Sequence, residues 1–322
     1  MKKAIYIVLL LATLCGCQRP ELKLTVHECA PIPVGRASAC ACVCEGKAYV
    51  FGGRDAGKTY LNDLWQYDPT TDTWTDLGAA PMKARVKAAM ACCEDKIYVG
   101  LGYSEKKAYR DSAYQQDWYE YTPATASWKQ LKDFPSASTV DAHCFALNGK
   151  IYVLYGFGYS FTRDIWAYNI AEDTWTLAAD DWHRAQRNFG GCGAYLNGVY
   201  YYGTGYDTHN LTQWFAADIE NNRWTECTSV PGKGRQLSAC AASNDCVYLF
   251  GGRYFAGDMT GGEIFDSYLR YVPDKNQWEW CGSMPCGRAE NQIAFSIDGK
   301  VYFGLGEDDK EQTINKLYRF AE

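Results

Sequence analysis

Five arginines recur along the chain, each shortly before a short apolar segment. They are Arg36, Arg85, Arg187, Arg235 and Arg288. Asp141 stands in the one corresponding stretch that lacks an arginine. A guanidinium binds a carboxylate or a phosphate through paired hydrogen bonds. If the fold brings these side chains together, they predict a site for an acidic ligand, although any single one could instead pair with a neighbouring backbone group or carboxylate.

A second set of polar and aromatic residues follows the same apolar segments. It contains Tyr103, Tyr159, Tyr206 and Arg253. Aromatic rings with polar groups between them hold sugars, because the C–H faces of a sugar stack on rings while its hydroxyls need donors and acceptors. These residues therefore predict a carbohydrate site, and packing of the loops on themselves is the open alternative.

The motifs of several enzyme classes are missing. No GxSxG sequence follows a strand, no cysteine has a plausible histidine and acid partner, and no glycine-rich loop could cradle a phosphate. The four histidines are scattered, and no Cys/His spacing suggests zinc. We therefore predict no cofactor and no metal.

Composition and charge narrow the class of protein further. The chain has 322 residues, 15% aromatics and 30 glycines against 10 prolines, which excludes a disordered, collagen-like or coiled-coil chain. Its formal net charge of −6 argues against a general nucleic-acid binder. A large strand-rich protein remains.

An internal repeat supplies the elements that would position these residues. An apolar segment that ends in glycine recurs about every 50 residues, and a tryptophan follows it at the same interval in five of the six copies. The six segments are AYVFGG (48–53), IYVGLG (97–102), IYVLYG (151–156), YYYGTG (200–205), VYLFGG (247–252) and VYFGLG (301–306). With an aromatic strand and a turn between the two landmarks, each copy predicts four short strands.

This unit resembles the kelch repeat, one blade of a β-propeller. The sixth copy stops without its tryptophan strand, and Leu22–Val26 matches that strand, with Val26 at the tryptophan position. We therefore predict an all-β fold in which residues 21–322 form a single six-bladed kelch-type β-propeller closed by an N-terminal strand, which leaves no free sheet edge. In such propellers the loops that carry both sets of residues emerge on one face.

Within kelch proteins, the sequence resembles the bacterial N-acetylneuraminate mutarotases, also called epimerases. Gly304–Glu307 resembles the Gly-Gly-Glu of that group, and Gly287-Arg288-Ala289 resembles the opening of its last blade. The resemblance implies that Glu307 is the catalytic base and that Arg288 or a neighbouring arginine binds the carboxylate of the sugar. A solvated acidic loop is the alternative for Glu307. Too few histidines lie in suitable places for a copper oxidase of the galactose oxidase type.

The first 16 residues resemble a signal peptide. Residues 1–16 combine a cationic start with a ten-residue apolar run that is too short to span a bilayer. Leu14–Cys17 resembles the lipobox of bacterial lipoproteins, which implies lipidation of Cys17, a tether over residues 17–20 and an outer-membrane lipoprotein of a Gram-negative cell that faces the periplasm. An ordinary secretory signal is the alternative. Thirteen of the 15 cysteines remain after Cys17. Other repeats have leucine or isoleucine at the positions of five of them, so we expect small buried side chains rather than disulfides. The five are Cys29, Cys44, Cys93, Cys227 and Cys281.

Two functions follow from these observations. The first is a non-catalytic monomer that binds a glycan or a protein partner on its loop face and reaches the membrane only through its lipid anchor. The second is a mutarotase or epimerase of an acidic sugar. A purely structural envelope scaffold is a third interpretation.

Overall fold

The computed structural model is built almost entirely from β-strands arranged as six four-stranded antiparallel sheets. It describes residues 24–104, 113–136, 139–154, 156–157, 164–179, 189–257 and 262–321. The innermost strands of neighbouring sheets contact one another in a closed circle around a central space, which we call the shaft. The predicted six-bladed β-propeller is therefore confirmed.

The first three blades follow the chain without interruption, each running from the shaft outwards. Blade 1 consists of strands β2 (Cys40–Cys44), β3 (Lys47–Phe51), β4 (Asp63–Asp68) and β5 (Thr73–Ala79). Blade 2 consists of β6 (Ala89–Cys93), β7 (Lys96–Gly100), β8 (Trp118–Thr122) and β9 (Ser127–Gln130). Blade 3 consists of β10 (His143–Leu147), β11 (Lys150–Leu154), β12 (Ile165–Asn169) and β13 (Thr174–Ala179).

The last three blades include one inserted hairpin and the strand that closes the ring. Blade 4 consists of β14 (Cys192–Leu196), β15 (Val199–Gly203), β16 (Trp214–Asp218) and β17 (Arg223–Cys227). Blade 5 consists of β18 (Ala239–Ser243), β19 (Cys246–Phe250), β22 (Ser267–Val272) and β23 (Gln277–Ser283), with the separate hairpin β20 (Arg253–Phe255) and β21 (Gly262–Ile264) between its second and third strands. Blade 6 consists of β24 (Ile293–Ile297), β25 (Lys300–Gly304), β26 (Leu317–Ala321) and β1 (His27–Cys29).

The N-terminal strand closes the ring as predicted, but it lies later in the chain than Leu22–Val26. Strand β1 pairs with β26, with His27 opposite Arg319 and Cys29 opposite Leu317. Val26, one residue before β1, packs against the hydrophobic cluster that contains Phe320.

Tight turns fix the register of the two inner strands of each blade. In blade 3 the turn is Asn148-Gly149, and both residues have positive φ, as a two-residue hairpin turn of this hand requires. Further out, Gly53 has a φ of +92°, and a Cβ atom there would lie 2.8 Å from the carbonyl oxygen of Ala37. The glycine that ends each apolar segment of the repeat is therefore needed for both its backbone angle and its close packing.

Tryptophans of the outer strands join neighbouring blades. Trp175 Nε1 donates a hydrogen bond to the carbonyl of Lys132 in the preceding blade at 3.0 Å, and Asp173 accepts one from the N–H of Lys132 at 3.1 Å. Blades 1 and 5 make the same two bonds, through Trp74 and Asp72 to Ala30 and through Trp278 and Asn276 to Thr228. The repeated tryptophan is therefore a contact between blades as well as a core residue.

The cysteines after Cys17 are all thiols, and most pack among apolar side chains. Cys29, Cys44 and Cys281 lie in hydrophobic clusters between blades, at the positions that leucine or isoleucine fills elsewhere. In the part of the chain that the structure describes, no helix is long and apolar enough to cross a membrane.

Candidate functional site

Each blade contributes one pair of bridged residues at the entrance to the shaft. In each pair, one residue stands three positions before the innermost strand, and the other directly follows the glycine that ends the apolar segment of the repeat. The pairs are Ala37 with Arg54, Val86 with Tyr103, Val140 with Phe157, Phe189 with Tyr206, Gln236 with Arg253, and Glu290 with Glu307. We call these twelve residues the mouth ring.

The mouth ring has two unlike halves. Blades 5, 6 and 1 supply Gln236, Arg253, Glu290, Glu307 and Arg54, with Ala37 as the one apolar member. Blades 2, 3 and 4 supply only valine, phenylalanine and tyrosine. The entrance to the shaft is therefore charged on one side and aromatic on the other.

A collar of residues with left-handed backbone conformation lies directly below the mouth ring. Its members are Ser38, Lys87, Asp141, Gly190, Leu237 and Asn291, with φ between 52° and 64°. Backbone hydrogen bonds link several of them around the shaft, from Lys87 N to Ser38 O at 2.8 Å and from Ser38 N to Asn291 O at 3.0 Å. Because non-glycine residues rarely adopt this conformation, its recurrence indicates that the collar is held by its surroundings.

Ion pairs dominate the charged half. Arg253 donates to Glu290 through Nε at 2.8 Å and through Nη2 at 2.6 Å, and Arg54 donates to Glu307. Asn291 of the collar donates a further bond to Glu307 at 2.9 Å. Both carboxylates are buried, whereas the side chains of Arg54 and Arg253 remain 21% and 24% exposed. The guanidiniums therefore still offer donors to a molecule in the entrance.

Glu290 has an unusual environment for a carboxyl group. Its burial raises the pKa, Arg253 acts in the opposite direction, and the neighbouring Glu307 adds to the increase. Glu290 and Glu307 are the two members of one backbone bridge, so their carboxyl groups are neighbours. Two neighbouring carboxyl groups, one of them with a raised pKa, are the arrangement that an acid and base pair requires.

Edge-to-face ring contacts fix the aromatic half. The ring centroids of Phe157 and Phe189 lie 5.3 Å apart, and those of Tyr206 and Phe255 lie 5.5 Å apart. Lys87 of the collar lies over Phe189 at 4.8 Å and donates to Asp141 at 2.5 Å. The rings are therefore positioned before any ligand arrives, which reduces the entropy lost on binding.

These residues enclose a cavity of about 840 Å³ at the entrance to the shaft. This volume lies in the range of pockets that hold small molecules. Its wall includes both ion pairs of the charged half and the aromatic side chains of Tyr60, Phe157, Phe189, Tyr206 and Phe255. It is the candidate functional site.

Three of the predicted arginines lie elsewhere. Arg36 and Arg85 are fully buried and pair with Asp63 and Asp117. Arg235 is buried too and donates to Ser267 Oγ at 3.1 Å. The prediction that these three contact a ligand is wrong, because they are buried and their side chains bind residues at the start of the third strand of their own blade or directly before it.

The other predicted residues divide into three groups. Arg253, Glu307 and Tyr206 line the cavity, while Tyr103 lies in the mouth ring and Asp141 in the collar, where Lys87 pairs with it. Arg288 is 57% exposed, 4.0 Å from Asp309, and does not line the cavity. Cys17, Tyr159 and Arg187 lie outside the described residues.

Several site residues are absent from the sequence prediction, among them Arg54 as a partner of Glu307, Phe157, Phe189 and Glu290. The sequence did contain a signal for them. Aligned on the repeat, the position after the closing glycine gives Phe157, and the position three before the innermost strand gives Phe189 and Glu290. The prediction did not include them because it selected residues by type, as arginine or tyrosine, and not by their position in the repeat.

The ring of six antiparallel sheets around a shaft defines the β-propeller class. The chain belongs to the kelch-repeat family, because the family model described as KLHDC2/KLHL20/DRC7 Kelch-repeats domain matches residues 19–183, just over half of the chain. A second model, described as Kelch motif, matches residues 234–285.

Curated relatives are similar over much of this chain but are themselves longer. Kelch-like protein terF of Aspergillus terreus is 27% identical over 86% of this chain and 62% of its own length, and kelch-like protein 23 of Pongo abelii is 28% identical over 74% and 40%. N-acetylneuraminate epimerase 1 of Escherichia coli is 23% identical over 66% of this chain and 51% of its own length. The chain therefore spans about half the length of these relatives.

Among solved structures, the one titled "Structure of YjhT" superposes with a TM-score of 0.76 over 91% of this chain and 97% of that chain, at 16% identity. This similarity shows the shared fold.

Proposed function

We propose that this kelch propeller binds a carbohydrate, without transforming it, in the cavity at the entrance to its shaft. The observation that carries the proposal is the division of the mouth ring into an aromatic half and a charged half. A sugar ring placed between them stacks a C–H face on Phe189 and Tyr206 and directs its hydroxyls towards the ion pairs of Arg54 and Arg253.

The charge balance favours hydroxyls as the groups recognised. Among the described wall residues, the cations Arg54, Lys58 and Arg253 face the carboxylates Glu290, Glu307 and Glu311. A paired guanidinium and carboxylate offer donors and acceptors next to each other, as vicinal hydroxyls require, and they create little net field. A strong attraction for anions would need unpaired cations instead.

The experiment is a ligand screen with matched variants. The protein is produced without residues 1–17, purified and mixed with a panel of neutral, amino and acidic monosaccharides and disaccharides. Binding is followed by line broadening of the sugar signals in NMR spectra. Phe189→Ala is expected to weaken binding of the selected sugar by up to about tenfold, since a contact on an aromatic ring contributes roughly 0.5–1.5 kcal/mol. Trp280→Ala is the control, because Trp280 is 41% exposed on the outer strand β23.

Selective broadening that survives in Trp280→Ala and is lost in Phe189→Ala supports the proposal. Equal binding by both variants, or binding of none of the sugars, contradicts it and leaves a protein ligand as the remaining occupant of the same face.

Mutarotation of an acidic sugar is the second candidate function, and the adjacent carboxyls Glu290 and Glu307 favour it. Opening the ring of a sugar needs a base for the anomeric hydroxyl proton and an acid for the ring oxygen. Glu307, which Arg54 and Asn291 hold, would be the base. Glu290, whose pKa is raised by burial, would be the acid, and the exposed part of Arg54 or Arg253 would bind the carboxylate. The similarity to N-acetylneuraminate epimerase 1 supports this candidate.

Anomeric exchange separates the two candidates. A freshly dissolved single anomer of N-acetylneuraminate is followed by NMR with the wild type, with Glu307→Gln and with Glu311→Gln, whose carboxylate is 60% exposed at the edge of the cavity. Accelerated exchange that is lost only in Glu307→Gln supports the mutarotase. Exchange at the uncatalysed rate with the wild type excludes it for this sugar.

The proposal includes the cellular location of the protein. We propose a lipoprotein anchored through Cys17 in the cell envelope, on the strength of the leader and lipobox in the sequence. Mass spectrometry of the N-terminal peptide tests it: an acylated Cys17 is expected, and a free thiol there would contradict it. Cys17→Ser should then move the protein from the membrane fraction to the soluble fraction.

A further inference from the structure

Two thiols meet inside the shaft, at the boundary between blades 4 and 5. Cys192 is the first residue of β14 and Cys240 the second residue of β18, and these innermost strands contact each other. Cys240 Sγ donates to Cys192 Sγ at 2.6 Å, although the residues are 48 positions apart in sequence. Thr204 Oγ1 lies 3.7 Å from Cys192 Sγ on the other side. The two sulfur atoms are therefore already adjacent in the reduced protein.

A buried arginine stands beside this pair without the carboxylate that equivalent arginines have. The N–H groups of Gly52, Leu101 and Gly251 donate to the carbonyls of three equivalent residues, which are Asp63, Asp117 and Ser267. The aspartates pair with Arg36 and Arg85, whereas Ser267 offers Arg235 only a hydroxyl. Among the described residues, Nε of Arg235 has no acceptor.

The segment that carries Arg235 lies against the segment that leads into β14, because Leu237 N donates to Gly190 O at 2.6 Å. Burial lowers the pKa of Arg235 to about 10, and a negative charge on Cys192 acts in the opposite direction. Burial and the hydrogen bond to Cys192 raise the pKa of the Cys240 thiol, so Cys240 keeps its proton and donates it. A thiolate on Cys192 would therefore gain a guanidinium counter-charge and a hydrogen-bond donor together.

The shaft gives small molecules access to the pair. Both cysteines line a cavity of about 240 Å³ inside the shaft, which has room for several water molecules, each occupying about 30 Å³ in the liquid. A disulfide loop of another protein could not enter a space of this size. A small oxidant such as hydrogen peroxide fits a space of this size.

We infer that Cys192 and Cys240 form a reversible redox site in which Cys192 reacts with hydrogen peroxide beside Arg235 and Cys240 resolves the product to a disulfide between blades 4 and 5. Neither cysteine lines the carbohydrate cavity. The redox site does not depend on the proposed function.

The reaction balances without any other partner. The Cys192 thiolate attacks one peroxide oxygen, the O–O bond breaks, and the hydroxide that leaves takes a proton to become water. The sulfur of Cys240 then attacks the sulfur of the Cys192 sulfenic acid, the S–O bond breaks, and a second water leaves with the proton of Cys240. In total, two thiols are oxidised by two electrons to one disulfide and one peroxide is reduced to two waters.

Peptide mapping tests the inference on the reduced full chain. The protein is treated with hydrogen peroxide, denatured, alkylated and digested. One cross-linked peptide that joins Cys192 to Cys240 is expected, and a thiol reductant should restore both alkylated peptides. Cys144→Ala is the matched control, since Cys144 also lines the shaft and its loss should leave the rate of cross-linking unchanged. Oxidation should also raise the unfolding temperature of the wild type by a few degrees, and it should not do so in Cys240→Ser.

Ser267→Asp tests the role of Arg235, because it introduces the carboxylate found in blades 1 and 2. Pairing with Arg235 should slow cross-linking severalfold, because the guanidinium then shares its charge with a carboxylate and stabilises a Cys192 thiolate less. A cross-link elsewhere, such as Cys44 to Cys92, would overturn the inference, as would irreversible oxidation of Cys192 without any cross-link. An unchanged rate in a folded Ser267→Asp variant would overturn the part assigned to Arg235.

Discussion

Arg253 of blade 5 holds Glu290 of blade 6 through two hydrogen bonds, of 2.8 and 2.6 Å, at the entrance to the shaft. On the other side of blade 6, Glu307 accepts a hydrogen bond from Arg54 of blade 1. The charged half of the mouth ring is thus a chain of ion pairs that crosses two blade boundaries. It contributes both to the cavity wall and to the joining of the blades.

The raised pKa of Glu290 predicts a pH dependence of stability. A carboxyl whose folded pKa exceeds its unfolded value, near 4.5, stabilises the fold below that value, and this contribution is lost as the pH rises through the folded pKa. The free energy of unfolding of the wild type, measured in urea, should therefore fall relative to that of Glu290→Gln as the pH rises from about 4.5 towards neutrality.

Glu311→Gln is the control for this measurement, with the opposite sign. Pairing with Lys58 lowers the pKa of Glu311, so its contribution is present above the unfolded value and is lost as the pH falls. The same slope for both variants would contradict the assignment of the effect to Glu290.

The buried arginines predict unequal costs of removal. Arg85→Met leaves the Asp117 carboxylate, which is 21% exposed, without its partner, so we expect a loss of about 3 kcal/mol in the free energy of unfolding. Arg235→Met removes a guanidinium that has no carboxylate partner, and Gly251 O keeps the hydrogen bond from Ser238 Oγ. We expect it to change stability by less than about 1 kcal/mol. Chemical denaturation measures the free energy of unfolding of both variants. Equal losses would contradict the prediction and show that Ser267 is as good a partner for the arginine as aspartate.

The contact between blades 2 and 3 predicts a position-dependent effect of replacing tryptophan. Trp175→Phe removes the donor to Lys132 O and should cost about 1 kcal/mol more than Trp128→Phe. Trp128 serves as the control because it packs in a hydrophobic cluster and makes no such bond within the described chain. Thermal unfolding of the two variants compares them, and identical midpoints would show that the bond adds nothing to packing.

Ring closure predicts a sharp limit for shortening the N-terminus. A chain that begins at Ala30 lacks β1, exposes the edge of β26 and uncovers the cluster against which Leu24 and Val26 pack. We expect it to aggregate or to unfold at a much lower temperature than a chain that begins at Glu21. Size-exclusion chromatography and thermal unfolding provide the comparison, and equal behaviour would mean that β1 is dispensable.

The repeat made the fold predictable, because two independent landmarks, a glycine-ended segment and a tryptophan, mark the same strands in successive copies. It also predicted that an N-terminal strand closes the ring, although that strand is His27–Cys29 and not Leu22–Val26. The exact bounds of β1 were not predictable, because they depend on where its partner β26 ends.

The site was harder to predict, because residue type does not report direction. Arg85 and Arg253 are both loop arginines in the sequence, but the first points into its blade and the second into the cavity. The direction of each arginine side chain depends on its hydrogen-bond partner, which is Asp117 for Arg85 and Glu290 for Arg253. Each partner is 32 or more residues away in the chain. Only the folded ring brings them together.

The backbone bridges of the mouth ring have a consequence for how binding specificity can change. Each blade holds its two residues by main-chain bonds, as Val140 N to Phe157 O and Phe157 N to Val140 O at 3.0 Å illustrate, so the position is fixed whatever the side chain. Mutation can therefore rewrite the lining of the entrance one blade at a time while the sheets stay intact. A propeller of this kind can acquire new selectivity without a new scaffold.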